Sequence, residues 1–383
     1  MSNFWRYLIF FSIATFVLFG MHWVVYRQFR LAFGIPASAI WLKAVVVFLA
    51  LSYIGSVSLG RWKPNGVTEF IVLCTSFWLG ISVYLFLFGF AGDLLSGLFA
   101  LVKFSRWTGI PWEEWRRFVA FSTLSISIFV SIWAISVAFG KFTIKQVEQR
   151  IERLDPSLDG MKVIVVSDLH LGAVHRDGFS RRITKAINEL QPDLVVIPGD
   201  LADGDPYLLK EKIAPLSGIH AKYGVYWCTG NHEYYTGQGI VVAGMDSAGI
   251  PVLRNQAVSV ANGKLYVAGV NDPTDKSMGG EGTRYDKALA NLDPKIPVIL
   301  MAHQPRLFRD AFKLGADIMV SGHTHGGQLW PFNYIVDRVW EVPRGAYREG
   351  NHLLYVSVGI GTWGPPMRLS QPPEIVEITL RRG

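Results

Sequence analysis

The fold is decided by a stretch that begins at Lys162 and reads Lys-Val-Ile-Val-Val-Ser-Asp-Leu-His through His170. Its first part, Lys162–Val166, is mostly β-branched and predicts a buried strand that ends at polar residues. A helical segment, Phe179–Leu190, and a second strand-like run, Asp193–Ile197, follow it. An alternation of strands and helices along the chain is typical of an α/β domain.

The alternation continues toward the C-terminus. A helix is predicted near Tyr207–Leu216. Further short apolar runs predict strands at Val225–Cys228, Lys264–Val270, Val298–Met301, Ile318–Val320 and Leu353–Val358. We therefore expect a sheet covered by helices on its faces, with ligands bound by the loops that leave the strand ends.

Metal-type side chains follow five of these strands. The loops are Ser167-Asp168-Leu169-His170, Gly199-Asp200, Gly230-Asn231-His232-Glu233, Ala302-His303-Gln304-Pro305 and Gly322-His323-Thr324-His325-Gly326. Imidazole and carboxylate ligands without thiolate suit Mn, Fe, Zn or Co, and do not choose among them. Two such ions held side by side lower the pKa of a bound water and clamp both oxygens of an in-line displacement at phosphorus.

The order Asp-x-His, Gly-Asp, Gly-Asn-His-Glu, a lone His and Gly-His-x-His resembles the calcineurin-like metallophosphoesterase superfamily. The resemblance spans about Asp168 to His325 and implies an α/β domain that is α+β sandwich-like, with two divalent metal ions as cofactors. It implies one metal held by Asp168, His170 and His325, and a second held by Asn231, His303 and His323. It further implies that Asp200 bridges the two ions. His232 resembles the catalytic histidine that contacts phosphate and either stabilises the transition state or protonates the leaving oxygen.

Three further polar residues near these loops have a simpler interpretation. Turn and helix N-cap roles explain Asp203 and Asp205 in Asp-Gly-Asp-Pro, so a metal role is not favoured. Arg306 either positions a phosphoryl oxygen or is a solvated surface residue, and we do not place it in the site.

Residues 1–150 differ from the rest in composition. They hold 13 Lys and Arg against 5 Asp and Glu, while residues 151–383 hold 24 against 25, so the net charge of +7 divides as +8 and −1. The second part therefore lacks the basic surface that nucleic-acid binding requires, and no nucleic-acid partner is expected. Only two cysteines occur, which argues against a disulfide framework and a thiolate zinc site.

Four apolar stretches occur in this first part, each long enough to cross a bilayer as a helix. They are roughly Tyr7–Tyr26, Ile35–Leu59, Phe70–Phe90 and Phe118–Phe139. Nine of the 13 tryptophans lie here, mostly near the ends of the stretches, where their rings favour the interface. We expect an all-α transmembrane region of about four helices at 1–142 and the metallophosphoesterase domain at 143–383, with Thr143–Gly160 as a short connection. The loops expected on the two sides of the membrane carry equal numbers of Lys and Arg residues, so the orientation of the chain in the membrane stays open.

An unusually apolar run, Leu329–Val336, follows the last metal-ligand loop. It is either a strand and core segment or a lipid-facing lip beside the site, and the core interpretation is favoured.

The first functional hypothesis is a multi-pass membrane protein of the cell membrane that hydrolyses a phosphoester or pyrophosphate bond, with the lipid bilayer as a partner. The leader is similar to that of the membrane-anchored branch of the superfamily. Some bacterial relatives there cleave the pyrophosphate of UDP-diacylglucosamine, which suggests a lipid or lipid-linked nucleotide as substrate. The alternative is a catalytically inactive membrane binding or scaffold protein with a phosphoesterase fold. The oligomeric state is left open.

Overall fold

A computed structural model describes residues 3–204 and 208–383, without the side chains of residues 3–11 and 104–105. Its N-terminal part is helical: α1 (Asn3–Phe33), α2 (Ile40–Trp62), α3 (Gly66–Leu101), α4 (Phe104–Thr108) and α5 (Trp112–Ala138). By length and composition α2, α3 and α5 can cross a membrane. At most 33% of the most apolar window of each is buried within the chain, which leaves apolar surface for lipid to cover.

The first predicted stretch lies within α1, which has 31 residues. Its crossing of the membrane stays a prediction, because the side chains of residues 3–11 are outside the described part of the chain.

The described residues form two compact units. One takes in Met1–Trp62, Phe70–Ser136 and Pro365–Met367, and the other takes in the rest. The domain boundary at 142 stays a prediction, because chain segments from both sides of it belong to each unit.

The second unit has eleven strands and eight helices among its described residues. The strands are β1 (Thr143–Ile151), β2 (Lys162–Val165), β3 (Leu194–Pro198), β4 (Val225–Cys228), β5 (Gln256–Val260), β6 (Leu265–Gly269), β7 (Val298–Met301), β8 (Ile318–Ser321), β9 (Gly345–Glu349), β10 (His352–Val356) and β11 (Glu374–Arg382). The helices are α6 (Asp177–Glu189), α7 (Leu209–Ile213), α8 (Asn231–Thr236), α9 (Gln238–Ser247), α10 (Thr274–Ser277), α11 (Tyr285–Ala288), α12 (Phe308–Lys313) and α13 (Asn333–Val339).

These strands build two mixed sheets. The first has the order β1-β11-β2-β3-β4, and the second has the order β5-β6-β7-β8-β10-β9. Strands β2, β3 and β4 are mutually parallel, as are β6, β7, β8 and β10. The carboxyl ends of each parallel set therefore lie at one edge of its sheet, which is where the metal-type loops begin.

The main core lies between the two sheets. Val163 and Val196 of the first sheet share one buried cluster with Ile299 and Val320 of the second. The outer face of each sheet packs on helices: Ile183 of α6 belongs to the cluster behind the first sheet, and other helices lie behind the second. The α/β prediction is confirmed, as two sheets packed face to face between helical layers.

The connection expected at Thr143–Gly160 is instead largely a strand. β1 pairs in parallel with β11 over its whole length, from Thr143 opposite Glu374 to Ile151 opposite Arg382. β1 carries the polar pattern of an edge strand, with few buried residues, and such a strand lacks the apolar run on which the prediction relied.

Candidate metal centre

The five metal-type loops meet at one place, and backbone hydrogen bonds join them. The amide of Asp168 donates to the carbonyl of Gly199 at 3.2 Å, and the amide of Gly322 donates to the carbonyl of His303 at 2.9 Å. The first bond links the loops after β2 and β3, and the second links those after β7 and β8. The amide of His323 donates to Oδ1 of Asp168 at 2.9 Å, which joins the two pairs of loops across 155 positions of the chain.

One group of candidate ligands consists of Asp168, His170 and His325. Their ligand atoms lie within 4.8 Å of one another, and all three residues are buried. Nε2 of His170 is 3.1 Å from Nε2 of His325, which is 3.4 Å from Oδ1 of Asp168.

A second group consists of Asp200, His303 and His323, again within 4.8 Å. Oδ2 of Asp200 is 3.0 Å from Nε2 of His303, and that nitrogen is 3.2 Å from Nδ1 of His323. Nδ1 of His303 faces the carbonyl of Pro198 at 2.8 Å, which leaves its Nε2 for a metal.

Asp200 reaches both groups. Besides its 3.0 Å contact with His303, its Oδ2 lies 3.8 Å from Nε2 of His170. Its other oxygen, Oδ1, accepts a hydrogen bond from the amide of His232 at 2.9 Å. One carboxylate thus stands between the two groups, where a bridging ligand has to be.

The geometry fits divalent ions. Ligand atoms about 2.1 Å from an ion, at tetrahedral or octahedral angles, are about 3.0–3.5 Å apart, close to the distances within the two groups. Oδ2 of Asp168, Nδ1 of His170 and Oδ1 of Asn231 are buried without a hydrogen-bond partner among the described residues. A buried polar atom without a hydrogen-bond partner lowers the stability of the folded chain. A metal ion or a bound water would satisfy those atoms that are directed into the site.

The backbone around the site is unusual as well. Five of the seven candidate ligands are non-glycine residues with a positive φ, between 48° and 73°: Asp168, His170, Asp200, His323 and His325. Strained conformations of this kind cluster at functional sites, where the surrounding structure holds them in place.

Asn231 and His232 begin α8, directly after β4. The two groups contain only carboxylates and histidines. Oδ1 of Asn231 is buried without a hydrogen-bond partner among the described residues. His232 has its ring 4.6 Å from the ring of His170, edge to face. A ligand atom of His232 also lies within 4.8 Å of ligand atoms of His170 and Asp200.

Asp203 contacts the site, although its sequence context favours a turn role. Its Oδ1 lies 3.5 Å from Nδ1 of His232, and its Oδ2 lies 3.9 Å from Nδ1 of His170. Turn chemistry explains an Asp at this position equally well, so only the contact identifies it as a partner of His232. Asp205 lies outside the described residues.

Glu233 is a second residue whose role the sequence analysis did not assign, although it is part of the Gly-Asn-His-Glu motif. It is fully buried, and its carboxylate accepts hydrogen bonds from the amides of Gly230, Asp200, Leu201 and Ala202. The side chain therefore ties the loop after β3 to the loop after β4 and positions Asp200 between the two groups.

Burial sets the protonation of the first group. It lowers the pKa of His170 and of His325 well below the usual value, with neighbouring cationic groups adding to the effect. Neutral imidazole is the form that binds metal. Burial, with the neighbouring charge of Asp200 adding to it, also raises the pKa of Asp168 to about 6, because together they outweigh the opposing effect of His303.

The second group is dominated by one ion pair. Burial alone would raise the pKa of Asp200, but His303 and His232 hold it well below its usual range. Burial and the neighbouring His303 lower the pKa of His323 to about 3. Asp200 is therefore a carboxylate at neutral pH, as a bridging ligand must be.

Two glycines permit the close approach of these loops. A Cβ on Gly230 would lie 2.2 Å from Oδ1 of Asp200, and one on Gly322 would lie 2.2 Å from Oδ2 of Asp168. Both contacts are far inside van der Waals distance, so only glycine leaves the carboxylates in place.

An apolar surface, called here the lip, lies next to the site. It consists of Trp330, Phe332, Tyr334, Ile335, Val339 and Trp363, all of them exposed. The core prediction for Leu329–Val336 is wrong for most of the run: Leu329 is buried, but Trp330 and Phe332 are 40% and 41% exposed. The run forms a turn and the start of α13, a helix with no buried residue, so most of its apolar side chains stay accessible at the surface.

The lip is joined to the metal-type loops. The Gln328 side chain accepts from the amide of Trp363 at 3.0 Å and donates to its carbonyl at 3.1 Å. The ring of Trp363 lies 5.9 Å from the ring of His232. The α13 backbone lies against Gly327, two residues after His325.

Comparison with known proteins agrees with this geometry. Residues 161–327 match the family model of the calcineurin-like phosphoesterases. The chain is 32% identical over 361 residues, 89% of its length, to a Danio rerio protein named transmembrane protein with metallophosphoesterase domain, of which it covers 80%. It is 37% identical over 225 residues to an uncharacterized metallophosphoesterase of Aquifex aeolicus, covering 58% of this chain and 85% of the relative. The chain therefore belongs to the calcineurin-like metallophosphoesterases, a family of metal-dependent phosphoric ester hydrolases, and it is a membrane protein.

Proposed function

We propose that the protein is a dinuclear phosphoesterase whose substrate is a lipid or a lipid-linked nucleotide, such as UDP-diacylglucosamine. The observation that carries the dinuclear centre is the placement of Asp200 between two groups of ligand atoms. Asp168, His170 and His325 hold one ion, and Asn231, His303 and His323 hold the other. When bound, such a pair activates water and neutralises charge on the phosphate.

His232 is proposed as the catalytic residue. Burial opposes its protonation, but Asp200 and Asp203 outweigh that effect and raise the pKa of His232 to about 9. The imidazolium donates a hydrogen bond to a phosphate oxygen and is able to pass a proton to the leaving oxygen. Asp203 orients the ring from its Nδ1 side, so that Nε2 is free for the substrate.

The lip supports the lipid assignment. An exposed run of aromatic and aliphatic side chains beside a catalytic site is typical of contact with acyl chains or a membrane surface. The chain also has three helices able to cross a bilayer, and α5 ends at Ala138, shortly before β1 begins at Thr143. The cell membrane is the proposed location.

The first experiment measures hydrolysis of 4-nitrophenyl phosphate and bis(4-nitrophenyl) phosphate by the detergent-purified full chain, with Mn, Zn or no added metal. Asp200→Asn removes the shared charge, and we expect it to lower kcat at least about 100-fold. Asp246→Asn is the matched control, because Asp246 is exposed on α9.

Metal-dependent turnover that is lost in Asp200→Asn and kept in Asp246→Asn supports the hydrolase, and the preferred ester narrows the substrate. A wild-type protein that turns over neither ester would contradict the proposed catalytic function, and one that also binds no metal would favour the scaffold alternative. Bound metal is counted by elemental analysis in each case.

A further inference from the structure

A cavity of about 350 Å³ opens beside His303, which forms part of its wall. The wall comes from two loops, one after β6 over residues 270–285 and one after β7 over residues 302–307. His303 is also a candidate ligand of the second metal. A group bound in this cavity would therefore neighbour the phosphate at the metal centre.

Arg306 lines the cavity, and its guanidinium is held by a chain of side-chain hydrogen bonds. Its Nε donates to Oε1 of Gln304 at 2.9 Å, and Nε2 of Gln304 donates to the carboxylate of Asp272 at 3.0 Å. Asp272 is only 1% exposed. A buried carboxylate thus fixes the amide that in turn fixes the guanidinium, which is more support than a solvated surface arginine normally has.

Trp340 supports the same guanidinium from another direction. The Cζ atom of Arg306 lies 4.5 Å from the centre of the Trp340 ring, and that ring lies 5.3 Å from the ring of His323. Stacking on an aromatic ring orients a guanidinium while leaving its edge available for hydrogen bonds. Trp340 therefore connects Arg306 to the metal centre.

The charges of the wall are unbalanced. Arg284 is paired with Asp286 at 2.6 Å, and Glu281 is paired with Lys287 at 2.9 Å. Among the described residues Lys276 and Arg306 have no acidic partner within ion-pair distance, and both line the cavity. Two unpaired cations in one concave site favour an anion.

We infer that this cavity binds a second phosphate of the substrate, next to the one that is hydrolysed. The inference rests on the proposed function for the identity of the hydrolysed group. Arg306 presents its two terminal nitrogens, a fork that matches two oxygens of a phosphate, and Lys276 adds a point charge. A second-phosphate site favours pyrophosphate-linked compounds as substrates. Simple phosphomonoesters, which lack a second phosphate, are then not the preferred substrates.

The test compares the binding of AMP with that of α,β-methylene-ADP. The second compound carries one more phosphate, and its methylene bridge between the two phosphorus atoms resists hydrolysis. Calorimetry on the manganese-loaded full chain gives Kd for each compound. We expect the second phosphate to tighten binding at least about tenfold in the wild type, as a charge-assisted bond to arginine does. Arg306→Gln should reduce this ratio to about twofold, and Lys276→Gln should reduce it in part.

The readout is the ratio of the two Kd values, which a general loss of folded or metal-loaded protein does not change. Arg181→Gln is the control, because Arg181 is exposed on α6 with 70% of its side chain accessible, and it should keep the wild-type ratio. A wild type without preference for the second phosphate, or a preference kept in both Arg306→Gln and Lys276→Gln, would overturn the inference.

Hydrolysis of bis(4-nitrophenyl) phosphate is measured on the same samples. If hydrolysis is absent but the ratio falls in Arg306→Gln, the second-phosphate site stands and the proposed catalytic function fails. If hydrolysis is present and no preference exists, the proposed function stands and the second-phosphate site is wrong.

Discussion

Nδ1 of His232 lies 3.5 Å from Oδ1 of Asp203, three residues after the shared carboxylate Asp200. The spacing places Asp200 between the two groups of candidate ligands and Asp203 beside His232, the proposed catalytic residue. The loop after β3 therefore contributes a carboxylate to each of two positions of the candidate site, and we propose that Asp203 positions His232.

Asp203→Asn should lower kcat about tenfold to 100-fold, because the amide no longer stabilises the His232 imidazolium or fixes its ring. KM should change much less, since we propose that Asp203 acts through His232 and not on the substrate itself. Steady-state kinetics with metal analysis checks this. Asp177→Asn, on the exposed start of α6, is the control. A loss of bound metal equal to the loss of activity would show that Asp203 is instead needed to hold the ions.

Replacing Trp330 and Phe332 together with Ser should lower turnover of a phospholipid or lipid-linked substrate far more than turnover of bis(4-nitrophenyl) phosphate. The reason is that both side chains are exposed at the lip, where apolar contact contributes only to an acyl-bearing substrate. Leu314→Ser, at another exposed apolar position, should affect neither. Equal losses of turnover on both substrates would show that the lip does not take part in lipid recognition.

Arg368 is fully buried, and its guanidinium donates to the carbonyls of Val358, Gly359, Gly361 and Gln371. Burial lowers its pKa to about 10, so it remains charged at neutral pH. Arg368→Met leaves these carbonyls unpaired, and we expect the free energy of unfolding to fall by about 3 kcal/mol or more.

The measurement for Arg368 is thermal unfolding of the detergent-purified chain with and without metal. Its Nη2 lies 3.4 Å from Nδ1 of His325, so metal-induced stabilisation should shrink as well. Arg381→Met removes a partly exposed arginine paired with Glu148 and should lower the free energy of unfolding by at most about 1 kcal/mol. Similar melting shifts for both variants would contradict the role of Arg368.

His175 gives the domain an acid sensitivity outside the metal ligands. Its Nε2 accepts from the amide of Thr362 at 2.9 Å, and its ring stacks on Phe179. Burial, with Arg368 and Arg182 adding to it, lowers the pKa of His175 to about 3. The unfolded chain, with a pKa near the usual value of about 6.5, therefore binds a proton that the folded chain rejects.

Stability should accordingly be unaffected by His175 above about pH 6.5 and should fall by up to about 1.4 kcal/mol per pH unit as the pH drops toward the folded pKa. His175→Gln keeps an acceptor for Thr362 without the titration, so its unfolding midpoint should decline less steeply between pH 6.5 and pH 4. Denaturation of the metal-loaded chain over this range checks the slope. Parallel curves for the two proteins would show that His175 does not titrate on unfolding.

The sequence by itself determined the class of fold and the composition of the site. Short β-branched runs ending in Asp168, Asp200 and His303 predict strand ends, because local backbone preference and period-two burial are encoded in neighbouring residues. The glycine-flanked motifs likewise carry their ligands within a few positions. Apolar stretches long enough to cross a bilayer are equally local.

Tertiary structure decided what depends on residues distant in the chain. The strand order of the first sheet depends on β11, the last strand, pairing between β1 and β2, which no local pattern reveals. The pairing of Asp203 with His232 and the support of Arg306 by Trp340 are contacts between separate loops. Whether Trp330 and Phe332 are core or lip depends on what packs against them. Side-chain type is local, but burial, pKa and partner are properties of the folded surroundings.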